Sequence, residues 1–390
     1  IVINIKICLQ IKRTEYKGGK TMRLFKKVLA VSVASMCALS LAACGGSKSA
    51  ETTAAASSES KEETKAGESV SEAVAATGKD AKDIKVGISI YKFDDNFMTL
   101  YRNELVRYLT EDCGIPKDNI VVQDGKNDQA EQTNQINNFI ATKVDVMILN
   151  LVQSSSAPTV TDLAKEAGIP VVYINREPDE TEESRWASDG IKATYVGADA
   201  RQSGTFQGEE IAELDNKGDI NGDGTVKYIM IQGDPENIDA QYRTEYSVKA
   251  LTEKSGLKAE ELLIQRGDWD QAKGQQIAQD ALTQYGKDIE VIFCNNDAMA
   301  LGALQAINAA GRKVGEDIYI VGVDALAEAV QNVSEGKMTG TVFNDFISQA
   351  QAAAKAAISF TNDEKVDTKI PVDYVKVTKD NAADILKLVK

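Results

Sequence analysis

From residue 84 onward, short β-branched apolar runs alternate with longer amphipathic ones, and this alternation limits the possible folds more than any other feature. The first run places Val86, Ile88 and Ile90 in a buried strand. The segment behind it carries Phe97, Leu100, Tyr101, Leu105 and Leu109 on one helical face. The pattern predicts strands at 84–91, 119–124, 145–151, 170–175 and 193–197, with helices at 96–112, 128–142, 156–167 and 200–214. A second series predicts strands at 226–232, 261–266, 289–294, 318–323 and 339–343, with helices at 239–255, 270–285, 297–310 and 325–335. A helix at 346–360, a strand at 370–377 and a helix at 380–389 close the chain. Two such series predict an α/β protein of two doubly wound parallel-sheet domains with a cleft between them.

Open sheets of this kind bind ligands at the carboxyl ends of their strands. The first such end is Lys92-Phe93-Asp94-Asp95-Asn96-Phe97. It offers carboxylates to accept from hydroxyls and an aromatic ring to lie against an apolar face, a pairing that suits a sugar. The same residues also read as a helix N-cap (Asp94, Asp95, Asn96) over a core Phe, and the stretch alone leaves both readings open.

Composition removes several function classes. There is no histidine, which takes away the commonest general base and transition-metal ligand. The formal charge of −15 falls to −22 once residues 1–43, with eight Lys/Arg and one Glu, are set aside. So acidic a chain is unsuited to nucleic acid, whose binding rests on cations at phosphates. Cys8, Cys37, Cys44, Cys113 and Cys294 form no C-x-x-C pair, so neither a zinc site nor a redox motif is indicated, and Cys113 and Cys294 read as buried free thiols.

The amino end reads as processing rather than fold. Met22, then Arg23, Lys26 and Lys27, then an apolar run from Val28 to Leu41, form a secretory signal at 22–43 that is short for a membrane span. Residues 1–21 are expected to be untranslated leader read in frame, since Lys17-Gly-Gly-Lys20 suits a purine-rich ribosome-binding sequence. Leu41-Ala-Ala-Cys44 resembles the bacterial lipobox, which makes Cys44 the expected acylated first residue of the mature chain. Residues 44–83 hold almost no large apolar side chains and are expected to be a disordered tether.

Asp219-Ile-Asn221-Gly-Asp223-Gly224-Thr225 has oxygens at positions 1, 3 and 5, Gly at 6 and a backbone carbonyl at 7, like the first half of an EF-hand loop. The usual Glu at position 12 is replaced by Met230, and position 9 is Lys227. Structural Ca²⁺ is the expected ligand. Lys227 must then swing out and leave a water, or weaken the site.

Several separated motifs together resemble the galactose/glucose-binding proteins of bacterial ABC sugar transporters. They are Tyr91 to Met98; Asn127-Asp-Gln129 with Gln132, Asn134, Gln135 and Ile136; Asn150-Leu-Val152; Asn175-Arg-Glu-Pro178; and Tyr195-Val-Gly197. In the second half they are Asn295 to Met299, Gly322 to Leu326 and Gly340 to Asp345. The resemblance covers nearly all of 84–390. It implies a type I periplasmic binding protein with a three-strand hinge, crossed near Gly197–Asp199, Asn344–Phe346 and Val375–Thr378. The amino-terminal lobe would be 84–197 plus 346–376, and the carboxyl-terminal lobe 198–345 plus 377–390.

The resemblance also implies a sugar site. Asp95 matches the carboxylate that takes the O4 hydroxyl, and Phe97 and Trp269 match the aromatics that sandwich the ring. Asn175, Asp239, Arg243, Asn296, Asp324 and Asn344 match polar residues around the rim. Asn237 stands where the family usually has His; it can still donate a hydrogen bond. For the metal loop the resemblance supplies Glu290 as a remote bidentate carboxylate, beside Asp219, Asn221, Asp223 and Thr225. Singly, each residue has a plainer reading: Asn296 and Asp324 as helix caps, Asn175 as a turn, Arg243 as a surface ion pair, Trp269 as core.

The expected function is capture of a monosaccharide, galactose or glucose, for an ABC permease. The carrier would be a monomeric lipoprotein held outside the cytoplasm, by its anchor alone, on the outer face of a Gram-positive membrane. A pentose or another sugar is the alternative ligand, and a sugar sensor for a chemoreceptor or membrane kinase the alternative role. A transcription regulator is opposed by the lipobox and by the lack of a basic helix-turn-helix before residue 84. No enzyme is expected: without His, a G-x-S-x-G elbow or a P-loop, only a glycosidase using Asp95 and Asp324 could be drawn.

Overall fold

The computed structural model describes residues 78–390. The leader, the signal segment, Cys44 and the tether as far as residue 77 lie outside the described residues. The tether ends before the expected residue 83. Residues Ala81–Asp83 form a 3₁₀ turn capped by Asp80, and Lys79 pairs with Asp145 at 2.7 Å. The Asp145 carboxylate also accepts from the Lys85 amide, so one acid fixes this segment to the domain.

The first lobe is a parallel sheet of β1 (Val86–Ile90), β2 (Ile120–Asp124), β3 (Val146–Leu149), β4 (Val171–Ile174), β5 (Ala193–Gly197) and, late in the chain, β11 (Lys369–Pro371). Its order is β11-β5-β4-β3-β1-β2. β1, β3 and β4 are buried at every position, as sheets covered on both faces require. The helices between them are α1 (Asn96–Arg107), α2 (Gln129–Ala141), α3 (Ala157–Ala167) and α4 (Glu180–Ser188). The chain turns from one side of β1 to the other on passing from β2 to β3. The loop after β1 therefore opens at a topological switch point.

The second lobe repeats the plan with β6 (Thr225–Gln232), β7 (Lys258–Arg266), β8 (Val291–Cys294) and β9 (Tyr319–Val321) in the order β7-β6-β8-β9. Its helices are α5 (Ala200–Ala212), α6 (Ile238–Ser255), α7 (Gln271–Tyr285), α8 (Asp297–Ala309) and α9 (Ala327–Ser334). β10 (Thr341–Phe343) continues this sheet beside β9 through a parallel bridge between Val321 and Gly340. β12 (Val375–Val377) then pairs antiparallel with β10. Helix α10 (Phe346–Thr361) packs on α1 and the first sheet, and α11 (Ala382–Val389) on α9.

Two expectations need correction. The single strand expected at 370–377 is two short strands in different sheets. Pro371 ends β11, Val372 still donates to the Gly197 carbonyl, and Tyr374 donates to the Gln202 side chain of the second lobe. The third passage between lobes thus lies at 372–374, before the expected position, and residues 375–376 pair with β10 of the second lobe. Helix α4 was not expected at all. Its start signal is present, with Asp179 capping Thr181 ahead of Glu180, Glu182 and Glu183, but Trp186 is its one large apolar side chain. That indole stacks on Tyr173 with centroids 5.2 Å apart.

Helices α5 and α6 lie closer than side chains allow, and two glycines one turn apart make the contact. A Cβ on Gly208 would sit 2.2 Å from the Ser247 carbonyl and 2.7 Å from the Leu251 amide; one on Gly204 would sit 3.0 Å from Arg243 Cα. Because backbone cannot step aside, Gly208→Ala is expected to lower stability by about 1–3 kcal/mol in denaturant titration. It should weaken ligand binding as well, since α6 carries Asp239 and Arg243.

Candidate functional site

Between the lobes, at the carboxyl ends of both sheets, lies a small, partly open cavity lined by residues of both. The first lobe contributes Tyr91, Asp95, Phe97, Met98, Asn175 and Arg176 to its wall. The second contributes Asn237, Asp239, Arg243, Trp269, Asn296 and Asp324.

On the first lobe, Asp95 is the N-cap of α1: its Oδ1 accepts from the Met98 amide at 2.7 Å. Its Oδ2 accepts from the Tyr91 hydroxyl at 2.6 Å. Phe97, the second residue of α1, is buried and meets Tyr101 edge-on at 6.2 Å. Asn175 ends β4 with φ of 63°, a left-handed conformation that Asn tolerates, and its Oδ1 accepts from Asn150 at 3.1 Å. Arg176 is buried, with its guanidinium 3.8 Å above the centre of the Tyr91 ring.

On the second lobe, Asn237 and Asn296 are the N-caps of α6 and α8, accepting from the amides of Asp239 and Met299 at 3.0 Å each. Each side chain keeps an amide N–H to donate; on Asn296 the other reaches the Trp269 carbonyl at 3.4 Å. Trp269 has φ of 64°, strained for a bulky side chain. Its ring is seated on Gly233, where a Cβ would come within 2.3 Å of the indole.

Arg243 ties this wall together. It is 3% exposed. Its Nη1 donates to the Asn295 carbonyl at 2.8 Å and its Nη2 to the Tyr374 hydroxyl at 3.0 Å. Its Nε donates to Ser203 Oγ at 3.3 Å, and Nη2 lies 3.9 Å from Asp239 Oδ2. Burial lowers the proton affinity of the guanidinium, but Tyr374, Asp324 and Asp239 outweigh it, and Arg243 stays charged above its ordinary range. Burial pushes Asp239 up to about 6 and Asp324 up to about 7, against the pull of Arg243. Asp239 Oδ1 and the Trp269 indole nitrogen are buried without any hydrogen-bond partner. A buried acceptor and a buried donor left open in one cavity wall call for a ligand that both donates and accepts.

Nine of the sequence-expected sugar residues line this one cavity. Asn344 does not. It stands behind the wall, donating to Asp324 Oδ1 at 3.4 Å and accepting from Gln349 at 2.6 Å, so its amide is already engaged. Asp324 itself is held at φ of 113°. It caps no helix: α9 starts after Leu326 without a side-chain cap. Tyr91, Met98 and Arg176 line the cavity and were not expected to. Tyr91 and Arg176 each adjoin a strand end within a quoted motif, which was the signal available. The expected metal residues Asp219, Asn221, Asp223 and Thr225 lie where the chain enters β6, at its other end from the cavity, and Glu290 accepts from the Ile220 and Asn221 amides of that loop. The expected free thiols are free; Cys294 is buried and Cys113 partly so.

A family model described as a periplasmic binding protein domain matches residues 86–365. The chain is 38% identical over 321 residues to the D-galactose/methyl-galactoside binding periplasmic protein MglB of Haemophilus influenzae, covering 79% of this chain and 93% of that one. It is 34% identical over 301 residues to a putative rhizopine-binding protein of Rhizobium meliloti, covering 77% and 91%. Among solved structures, an ABC transporter solute binding protein from Bacillus halodurans with bound myo-inositol superimposes with a TM-score of 0.69 at 28% identity, over 80% of this chain and 99% of that one. These relatives are binding proteins, not enzymes. The chain belongs to the periplasmic binding protein family that serves ABC sugar importers.

Proposed function

We propose that the chain captures a hexose, galactose or glucose, in the interlobe cavity and delivers it to the permease of an ABC importer. The observation that carries this reading is a small cavity whose two walls come from different lobes. It holds Phe97 and Trp269 for the ring, and the unpaired Asp239 Oδ1 and cap-committed Asn237 and Asn296 for hydroxyls. The 38% identity to a galactose/methyl-galactoside binding protein supports the choice of sugar. Closing the lobes completes the wall, so the ligand favours the closed form by binding it better. A cyclitol is the second reading. It presents a similar ring of hydroxyls, and the rhizopine relative and the myo-inositol-bound structure point to it. Cys44 is the proposed lipid anchor, supported by Leu41-Ala-Ala-Cys44, and would hold a monomer on the outer face of a Gram-positive membrane.

Calorimetry on protein stripped of carried ligand, against galactose, glucose, ribose, xylose and myo-inositol, tests this directly. Tight binding of a hexose is expected, weakened roughly a hundredfold in Trp269→Ala and by about 10–100-fold in Asp239→Asn. Preference for ribose, xylose or inositol would replace the substrate.

The raised Asp239 and Asp324 carboxyls give a pH signature. The unfolded carboxyls ionise near pH 3.9, so between that pH and 6–7 the folded state holds more protons. Stability of the ligand-free protein should therefore fall as pH rises through this window. A ligand whose hydroxyls bond the ionised carboxylates should bind more tightly from pH 5 to 8, by up to about tenfold per pH unit. A flat affinity over that range would contradict the assignment. For the anchor, mass spectrometry of the membrane-extracted protein should find a diacylglyceryl group on Cys44, and Cys44→Ser should release the chain from the membrane.

A further inference from the structure

The loop from Asp219 to Lys227 is laced by its own side chains and by Glu290. Asp219 Oδ1 accepts from the amides of Gly222 and Asp223 at 2.8 and 3.2 Å, and its Oδ2 from Gly224 at 2.9 Å. Asn221 accepts from Asp223 at 2.8 Å, and Asp223 Oδ1 from Thr225 at 2.9 Å. Glu290, 2% exposed at the start of β8, reaches across from the neighbouring strand. Its Oε1 takes the amides of Ile220 and Asn221 at 2.8 and 3.1 Å, and its Oε2 that of Lys227 at 2.9 Å.

The remaining oxygen on Asp223 faces a cation that belongs to the chain. Lys227 Nζ lies 3.6 Å from Asp223 Oδ2, with its side chain 24% exposed. Lys227 occupies the ninth position of the loop, and an ammonium has no lone pair to give a metal. Ca²⁺ takes six to eight oxygens. Here one ligand position is replaced by a positive charge beside another ligand. Among the described residues no three His, Cys, Asp or Glu side chains converge where they could hold a metal ion. The donor set therefore does not fit Ca²⁺ as the resemblance implied.

We propose that the Lys227 ammonium replaces Ca²⁺ as the counter-ion of this loop, so that neither folding nor ligand capture requires a metal. The inference is independent of which sugar the cavity takes, because it is read from thermal stability without ligand.

The test is thermal unfolding of the protein in EDTA and in millimolar Ca²⁺, with terbium luminescence as a direct reading of metal binding. The wild-type Tm should be the same in both, with no terbium signal. Lys227→Gln removes the ammonium and restores an oxygen at the ninth position. It should unfold earlier than wild type in EDTA, gain about 5–10 °C on adding Ca²⁺ well above its dissociation constant, and bind terbium. A wild-type Tm that drops by several degrees in EDTA would overturn the proposal. So would a Lys227→Gln protein that folds but stays indifferent to Ca²⁺.

Discussion

The Arg243 guanidinium is the interaction on which the site depends. It is buried on α6, and its donors reach α5 through Ser203, the end of β8 through Asn295, and the third interlobe passage through Tyr374. A buried arginine is tolerable only when its donors are filled and its charge is opposed. The donors are filled by Ser203, the Asn295 carbonyl and Tyr374, and the charge is opposed by carboxylates that also line the cavity. The opposing charge is Asp239, one turn back on the same helix, and Asp324 on the same lobe. Gly204 and Gly208 let α5 approach closely enough for Ser203 to reach the guanidinium. The Tyr374 bond places the charged centre of the site against a segment that joins the lobes. Any change in lobe orientation must act near this bond, which gives a physical link between cavity occupancy and closure.

Capping and ligand binding are served by the same residues. Asp95, Asn237 and Asn296 each satisfy an open amide at a helix start and line the cavity. In a doubly wound sheet, helix starts follow strand ends, so a side chain that caps a helix already stands where ligands bind. The plain and the functional readings of these residues are two uses of one position. The left-handed backbone at Asn175, Trp269 and Asp324 belongs to the same picture. These three residues sit in tight turns at strand ends, and packing such as the indole on Gly233 holds them there.

Much of this was legible in the sequence, and the gaps have identifiable causes. The strand and helix series followed from periodicity because buried parallel strands such as Val146–Leu149 are apolar at every position. Helix α4 was missed because its outer face is acidic and a single Trp186 anchors it, which leaves almost no apolar period. The 370–377 segment has a continuous strand composition, and only tertiary pairing divides it between β5 and β10. Asn344 and Arg176 show the limit on the site. Both lie at strand ends in recognisable motifs. Whether such a side chain faces the cavity or supports a neighbour depends on groups distant in sequence: Asp324 for Asn344, and the Val152 carbonyl and Tyr91 ring for Arg176. The resemblance to sugar-binding proteins located the constellation; packing decided which members form the wall.

The most direct test of the central claim is a crystal structure of the protein with its sugar bound. A pyranose is expected between Phe97 and Trp269, with one of its hydroxyls within about 2.5–3.0 Å of Asp239 Oδ1. Arg243 should keep its bond to Tyr374 in that structure. A ligand seated elsewhere, or an Asp239 Oδ1 still unpaired in the complex, would contradict it.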